Sequence, residues 1–386
     1  MAVQDQADFL IVGGGVIGLS IARELRRLGA KRVVVIDRGT AGMEASWAAA
    51  GMLAPNAECD VFDDFYGLCR DSLAMWPSFA DELRDETGID VELDRTGTLE
   101  LAFTDEDVRR AEAKFGRQLA AGVSVERLAP GDVLRVEPLV SPAVKLGFRY
   151  PDDWQVENRK LVDALRRSAA LRGIEVGEGV AVESLRVAKG RVTAAVTSAG
   201  ELSASNFIIA AGCWTSLINI DGARGPRLPT VRPIKGQMIA CEMGRADFRH
   251  VIYSHKGYLV PRRDGRVLVG ATVEDAGFDK QTTAEGIASL ERAAAEISGR
   301  FAGARPAETW AGLRPFAAGG RPVIGVWPEI PNLAVATGHY RNGILLTPLT
   351  AGLIANKLLN DVGSPFLEAF GPGGVGDPSS SAAAIT

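Results

Sequence analysis

The feature that most constrains how this chain can fold is a glycine-rich turn near its start, between a strand pattern and a helical pattern. Residues 8–12 form an apolar run of a length suited to a buried parallel strand, and residues 13–18 fit the spacing G-x-G-x-x-G. Residues 19–29 carry apolar side chains on one helical stripe, and a second short strand ends at Asp37. Strand, glycine turn, helix, strand and acid in this order predict a dinucleotide-binding βαβ unit.

Each glycine of the turn has a distinct expected role. Gly13 permits the tight turn, Gly15 lets the backbone approach a pyrophosphate, and Gly18 lets helix and strand pack closely, while the helix start adds partial positive charge. Asp37 lies 19 positions after Gly18 (37 − 18), so we expect it to bind a ribose. The alternative is a plain βαβ unit in which the glycines serve packing and Asp37 caps a turn. The motif does not distinguish NAD from FAD, although the acid disfavours a 2′-phosphate.

The segment after Asp37 favours FAD. Residues 39–55 are rich in glycine, alanine and serine, and small residues let a backbone lie against a flat ligand. We interpret residues 46–52 as a helix whose N-terminal end contacts the pyrophosphate.

Composition limits the other classes. A length of 386 residues suggests two or three domains, and a net charge of −5 with interspersed charges argues against a nucleic-acid partner. The first ten residues lack a signal-peptide pattern, and no apolar run has the length of a membrane span. The four cysteines form no C-x-x-C, and the three histidines have no metal-ligand spacing. We therefore expect a cytoplasmic protein without a metal or a membrane partner.

The order of elements predicts an α/β chain, α+β overall, with an interrupted Rossmann-like domain. Helical patterns occur near residues 60–86, 105–122, 130–137, 158–173, 282–301 and 344–359, and Thr282 with Glu285 fits a capping box. Residues 207–212 read as a central strand, and Asp264-Gly265 predicts a hairpin in a β-rich stretch. We predict a discontinuous FAD-binding domain (1–85, 148–227, 330–370), a substrate domain with a mixed or antiparallel sheet (86–147, 228–329), and a disordered tail (371–386).

Two arginines stand in apolar or glycine-rich surroundings. Arg314 lies in GLRP and Arg341 in HYRNG, and a guanidinium in such surroundings pairs best with a planar carboxylate. Tyr258 can add a hydroxyl to the same anion. The alternative is that each arginine bridges domains through an Asp or Glu, although Arg341 sits between a strand and a helix start, where open α/β folds place ligands. His339 is interpreted as a spacer rather than a base.

Several stretches together resemble the flavoprotein family of D-amino-acid oxidase, sarcosine oxidase and glycine oxidase, with glycine oxidase the most similar branch. The stretches are IVGGGVIGLSIARELRRLG, AAAGMLAP, PDDWQVENRKLVDAL, VGATVED, WAGLRP and ATGHYRNGILLTP, and the resemblance covers residues 7–360. It implies FAD bound by Gly13, Gly15, Val16, Ile17, Gly18, Asp37, Arg38, Ala45, Ser46, Ala50, Gly51, Met52, Val180, His339, Tyr340, Arg341, Asn342, Gly343, Ile344 and Leu345.

The resemblance also implies an activity. Arg314, Arg341 and Tyr258 match the residues that hold an amino-acid carboxylate, and a hydride then leaves Cα for FAD. A substrate with a neutral amine needs no protein base. The products are an imine, hydrolysed to a 2-oxo acid and ammonia, and hydrogen peroxide from dioxygen. Glycine, sarcosine and small D-amino acids are candidate substrates, thiamine biosynthesis is the implied pathway, and relatives suggest a homo-oligomer.

Two departures and two alternatives accompany the resemblance. Asp37 stands where a glutamate is common, and no cysteine follows Arg314, so we expect FAD to be non-covalent. One alternative is a D-amino-acid or 2-hydroxy-acid dehydrogenase that passes electrons to a quinone. The other is a flavin-bearing subunit without turnover of its own.

Overall fold

The computed structural model describes residues 7–221, 228–243 and 248–374. Residues 375–386 of the predicted disordered tail lie outside these ranges. The described residues contain ten α-helices, numbered α1 to α10 in chain order: Val16–Arg27, Ala45–Ala48, Pro55–Glu58, Asp64–Thr87, Asp105–Ala120, Pro130–Val136, Asn158–Leu171, Ala284–Ile297, Thr347–Asn360 and Pro365–Ala369.

The strands are numbered β1 to β20 in the same way. They are Ala7–Val12, Val33–Ile36, Met52–Leu53, Thr98–Ala102, Glu126–Leu128, Leu146–Tyr150, Trp154–Gln155, Glu175–Gly177, Val182–Ala188, Arg191–Thr197, Gly200–Leu202, Ala204–Ile209, Asn219–Asp221, Val231–Glu242, Val251–Ser254, Gly257–Pro261, Arg266–Gly270, Glu308–Ala317, Val323–Trp327 and Ile330–Thr337.

A six-stranded sheet carries the glycine-rich turn. Its order is β19-β20-β12-β1-β2-β8, and every neighbouring pair is parallel except β19 with β20. In strands β1 and β12, which are in register at Ile11 and Ile208, residues 9–12 and 207–209 are buried on both faces, which explains the apolar runs there. Helix α1 packs against α7 and α9 over this sheet. The predicted βαβ unit and the central strand near residue 207 are confirmed.

An eight-stranded sheet lies beside the first one. Its order is β18-β14-β17-β16-β15-β4-β6-β5, with only β15 and β4 paired in parallel. The long strand β14 pairs with both β17 and β18, and α8 packs against β14, β16 and β17. The predicted hairpin is present: Arg262 donates its backbone N–H to Arg266, and Gly265 has a φ of +98°.

Strands from separate parts of the chain meet in each sheet. The six-stranded sheet takes strands from 7–36, 175–177, 204–209 and 323–337, so β19 joins it although residues 323–327 belong to the predicted substrate domain. The predicted domain boundaries themselves stay a prediction. None of the helices in the described ranges has both the length and the apolar character to cross a membrane.

Three local predictions differ from the structure. The helix expected over 46–52 ends at Ala48, because Ala49 is extended and Gly51 has a φ of +72°, after which Met52 enters β3. The cap of α8 is Thr283, whose hydroxyl accepts from Gly286, rather than Thr282. The helix expected from residue 344 begins at Thr347, with Pro348 in its first turn as expected.

Candidate active site

A cavity of about 500 Å³ lies between the two sheets. One part of its wall is the glycine-rich turn with the start of α1, and another part is formed by β14, β16 and β18 of the eight-stranded sheet. The segment 339–344, which precedes α9, closes the wall between them. A single continuous cavity therefore joins the predicted nucleotide site to the predicted carboxylate site.

The glycine turn has the close approaches that its sequence predicts. A Cβ on Gly13, where φ is +108°, would lie 2.3 Å from the Ala210 carbonyl oxygen, and one on Gly18 would lie 1.9 Å from the Gly13 carbonyl oxygen. A Cβ on Gly15 would meet only Ser46 Oγ, at 3.2 Å, so the turn backbone stays open toward the cavity. Helix α1 has no acidic residue in its first turn, which suits an anionic pyrophosphate.

Asp37 holds the turn together. Its Oδ2 accepts the Gly14 N–H at 2.8 Å and its Oδ1 accepts the Gly39 N–H at 2.8 Å. A carboxylate has about four acceptor positions, so capacity for a ribose hydroxyl remains and its ribose role stays a prediction. The Val180 N–H donates to the Asp37 carbonyl at 2.8 Å, and the predicted contact of Val180 with FAD stays a prediction.

Most of the predicted FAD contacts lie on the cavity wall. These are Gly13, Gly15, Val16, Ile17, Asp37, Arg38, Ala45, Ser46, Val180, His339, Tyr340, Arg341, Gly343 and Ile344. The others do not line it: Gly18, Ala50, Gly51, Met52, Asn342 and Leu345.

Two of the residues that do not line the cavity, Ala50 and Leu345, make hydrogen bonds to side chains elsewhere in the fold. The Ala50 carbonyl accepts from Arg262 at 2.7 Å, and the Leu345 carbonyl accepts from Ser72 Oγ at 2.7 Å and Trp76 Nε1 at 3.0 Å. The assignment of every residue in both groups to FAD stays a prediction.

Arg314 and Tyr258 come together at the other end of the cavity. The Arg314 Nη1 donates to the Thr272 carbonyl at 3.1 Å, and its guanidinium lies against Gly236, where a Cβ would be 2.4 Å from both Nη atoms. The Tyr258 hydroxyl lies 3.2 Å from Met238 Sδ, and burial raises the pKa of this phenol while the nearby Arg314 opposes the rise. Within the described part of the chain, no carboxylate lies at ion-pair distance from Arg314.

Arg341 lies on the same wall but is already paired. Its Nη2 is 3.0 Å from Glu58 Oε1 and its Nε is 3.4 Å from Glu58 Oε2, and the negative charge of Glu58 raises the pKa of the guanidinium. The alternative of a bridging arginine therefore describes a contact that Arg341 makes in this structure. A role in holding a substrate carboxylate stays a prediction for Arg341, as it does for Arg314 and Tyr258.

His339 is almost fully buried and is not placed as a base. Its side chain is 3% exposed, its Nε2 lies 3.2 Å from Thr350 Oγ1, and burial lowers its pKa to about 3. The imidazole is therefore neutral at physiological pH, in accord with its interpretation as a spacer.

Sequence reasoning missed the residues that surround the two arginines. Gly236, Met238 and Thr272 contact Arg314 or Tyr258 although they are distant from them in sequence. The stretch VGATVED, which contains Thr272, was a usable sign, whereas Glu58 carries no local pattern that marks it as the partner of Arg341. No group of three or more metal-ligating side chains occurs in residues 7–221, 228–243 and 248–374.

The chain is similar in sequence and in structure to known FAD-dependent oxidoreductases. The profile of the family described as FAD dependent oxidoreductase (DAO) matches residues 8–357. A glycine oxidase of Geobacillus kaustophilus is 36% identical over 355 residues, which are 90% of this chain and 92% of that protein. The bifunctional protein ThiO/ThiG of Synechocystis sp. is 36% identical over 379 residues, 96% of this chain and 54% of that protein.

The chain thus spans about half the length of the bifunctional relatives that it matches. Among solved structures, glycine oxidase from Geobacillus kaustophilus matches with a TM-score of 0.88 at 33% identity, covering 95% of this chain and 98% of that one.

Proposed function

The chain belongs to the DAO family of FAD-dependent oxidoreductases, and on this premise we propose that it oxidises a small amino acid, with glycine as the first candidate. The products are the imine, which water hydrolyses to the 2-oxo acid and ammonia, and hydrogen peroxide. Two relatives support glycine as substrate and thiamine biosynthesis as the pathway. They are named glycine oxidase and ThiO/ThiG, and each aligns with almost all of this chain.

The residues at the glycine turn fit FAD. The backbone at Gly15 is open toward the cavity, and Gly15 itself supplies no side-chain cap to α1. The Val16 N–H donates to Ser46 Oγ at 3.1 Å, so the Ser46 hydroxyl and the small side chain of Ala45 stand beside the helix start where a pyrophosphate would lie. FAD, when bound, supplies an acceptor for the hydride equivalent that leaves the substrate Cα. The residues that would hold it are those of the turn, Asp37, Arg38 and the segment 339–344.

Arg314 and Tyr258 would hold the substrate carboxylate. Among the described residues, the Thr272 carbonyl is the one hydrogen-bond acceptor of Arg314, so most of the guanidinium donors remain for a ligand in the cavity. A planar guanidinium binds a carboxylate through two parallel hydrogen bonds, which fixes the orientation of Cα. His339 is neutral and buried, so the amine must lose its proton before binding or to solvent.

The observation that carries this proposal is the continuity of one cavity from the glycine turn to an arginine without a carboxylate partner. A nucleotide site alone fits many flavoproteins and nicotinamide enzymes. A half-buried guanidinium without a carboxylate partner, in a mainly apolar cavity, favours an anionic second ligand, because a partly desolvated cation without a counter-charge is costly.

Dioxygen as the electron acceptor, a homo-oligomeric assembly and a cytoplasmic location are parts of the same proposal, without a nucleic-acid or membrane partner. The net charge of −5 supports the lack of a nucleic-acid partner.

The test begins with the visible spectrum of the purified protein. We expect flavin absorbance, bleaching by glycine without oxygen, and equal rates of oxygen use and peroxide formation in air. Fast reduction of an artificial dye with slow oxygen use would favour the quinone-linked dehydrogenase. A colourless protein that takes up no FAD would refute the proposal.

A variant pair links the activity to the cavity. Arg314→Met should retain FAD and lose most of the oxidation of glycine. Arg127→Met is the matched control, because Arg127 pairs with Glu112 away from the cavity wall. Normal turnover by Arg314→Met would contradict the placement of the substrate.

A further inference from the structure

Glu58 reaches the cavity only through Arg341. It touches both Nε and Nη2 of the guanidinium, at 3.4 and 3.0 Å, yet it is not among the residues of the wall. Its side chain is 16% exposed and that of Arg341 is 29% exposed. The Tyr253 hydroxyl lies 3.5 Å from the same Nη2. The Glu58 carboxylate thus contacts an arginine of the cavity wall without lining the cavity itself.

A buried network fixes the short helix that carries Glu58. The carboxylate of Asp153, which is fully buried, accepts the backbone N–H groups of Asn56 at 3.0 Å and Ala57 at 2.7 Å, and the Asn56 side-chain amide at 2.8 Å. From the other side, the Gln118 amide donates to the Asn56 carbonyl at 2.8 Å, and the Lys114 ammonium donates to the Ala57 carbonyl. Glu58 is therefore held toward Arg341 by α3 itself and is not a freely moving surface side chain.

The two arginines consequently differ in charge balance. Arg341 is neutralised by Glu58, whereas Arg314 donates to the Thr272 carbonyl, lies near the Tyr258 phenol, and has no carboxylate partner within the described residues. Both arginines and Glu58 lie close enough to Tyr258 for their charges to act on its hydroxyl. Beside the predicted substrate end of the cavity, the two arginines and Glu58 therefore carry two positive charges and one negative charge, which leaves one cation to be balanced by a ligand.

We propose that Glu58 is a specificity-determining residue that restricts this site to amino acids with a single carboxylate. The inference rests on the proposed function and adds a substrate class to it. An amino acid with one carboxylate balances Arg314 and leaves the site neutral. A second carboxylate on the side chain would meet an arginine that is already paired and would be repelled by Glu58 beside it.

The test is a charge change that preserves size. Glu58→Gln keeps an oxygen that accepts from Arg341 and removes the negative charge, so that the arginine is left to balance a second carboxylate. We expect kcat/KM for D-aspartate, divided by that for D-alanine, to rise about tenfold or more over wild type. Glu58→Asp keeps the charge and should retain the wild-type ratio. Glu112→Gln is the control, since it breaks the surface pair with Arg127 outside the cavity.

A binding measurement tests the effect of the Glu58 charge without requiring turnover. We expect malonate, relative to acetate, to bind Glu58→Gln about tenfold more tightly than wild type, followed by the change in the flavin spectrum or by thermal shift. The double variant Glu58→Gln/Arg341→Gln should lose this gain, because the second cation is gone. A merely structural role for Glu58 would weaken both anions alike and would not move the ratio.

Each outcome decides the inference. Unchanged ratios in Glu58→Gln, in turnover or in binding, would overturn it, as would a wild-type enzyme that prefers D-aspartate. If wild type oxidises no amino acid at all, the proposed function fails, and the malonate-to-acetate ratio still tests the charge balance. If Glu58→Gln does not fold, two other variants decide, because Glu58→Asp and Arg341→Lys both keep the ion pair and should both keep the wild-type ratio of malonate to acetate binding. A wild-type ratio in Glu58→Asp together with a ratio shifted toward malonate in Arg341→Lys would contradict the proposal.

Discussion

Gly236→Ala tests whether the position of Arg314 governs activity. Gly236 lies in β14 opposite Gly312 of β18, and its backbone has no positive φ that would exclude alanine. A Cβ there would lie 2.4 Å from both Nη atoms of Arg314 and 2.6 Å from its Cζ, whereas ordinary contact begins at 3.4 Å. The guanidinium must therefore retreat by about 1 Å. The added methyl meets the end of a flexible side chain, so the sheet itself need not move.

The size of the effect follows from that displacement. A misplacement of about 1 Å in a positioning group can lower a rate by about 10²-fold, which corresponds to about 2.7 kcal/mol of transition-state stabilisation. We expect kcat/KM for glycine to fall by about this factor in Gly236→Ala, while the flavin spectrum and the melting temperature stay near those of wild type.

Steady-state oxygen consumption with glycine gives kcat/KM, and a thermal melt of the same sample checks the fold. Gly116→Ala is the matched control, because a Cβ at Gly116 in α5 would meet nothing within 4 Å. Gly236→Ala with FAD bound and a kcat/KM within twofold of wild type would refute the argument that Arg314 must stand where β14 lacks a side chain.

Three further predictions follow from the site. Asp37→Ala removes the acceptor that holds the Gly14 and Gly39 N–H groups of the turn and also the predicted bond to the FAD ribose, which is worth about 1.5–3 kcal/mol for a charged acceptor. Titration of the apoprotein with FAD should show this loss of affinity, and a wild-type affinity would contradict the ribose role. Burial lowers the pKa of His339 from 6.5 to about 3. As pH falls from 6.5 toward 3, the imidazole therefore becomes protonated in the unfolded chain but stays neutral in the native state. Stability should fall by up to about 1.4 kcal/mol per pH unit below pH 6.5, the fall should be shallower in His339→Gln by urea unfolding, and equal slopes would contradict the assignment. Cys213 lies on the cavity wall with its pKa raised by burial to about 12, so its thiol stays protonated and acid precipitation should release all the FAD; flavin retained in the pellet would show a covalent link.

Local sequence patterns were sufficient for the elements that hold the nucleotide site. The turn from Gly13 to Gly18 could be predicted because strand length, glycine spacing and helix periodicity all act within about 30 residues. The hairpin at Asp264-Gly265 is a similar case, since the hydrogen bonds involved join residues close in sequence. In these segments the local preference and the tertiary structure agree.

The misses arise where tertiary contacts override local preference. Residues 46–52 favour a helix by alanine content, but the Ala50 carbonyl accepts from Arg262 and Met52 pairs with Gln155, so the backbone extends after Ala48. The partner of Arg341 could not be predicted either, because Glu58 lies 283 positions earlier in the chain. No periodicity or spacing encodes a contact of that range.

The glycine turn predicted to bind the nucleotide and two of the residues predicted to bind the acid, Arg314 and Tyr258, belong to different sheets. The glycine turn extends the six-stranded sheet, while Arg314, Tyr258 and Gly236 lie on β18, β16 and β14 of the eight-stranded one. This division of labour has a practical consequence for engineering. A library of variants confined to β14, β16 and β18 would change which acids are accepted and leave the glycine turn unaltered. Flavin absorbance and substrate preference could then be screened separately.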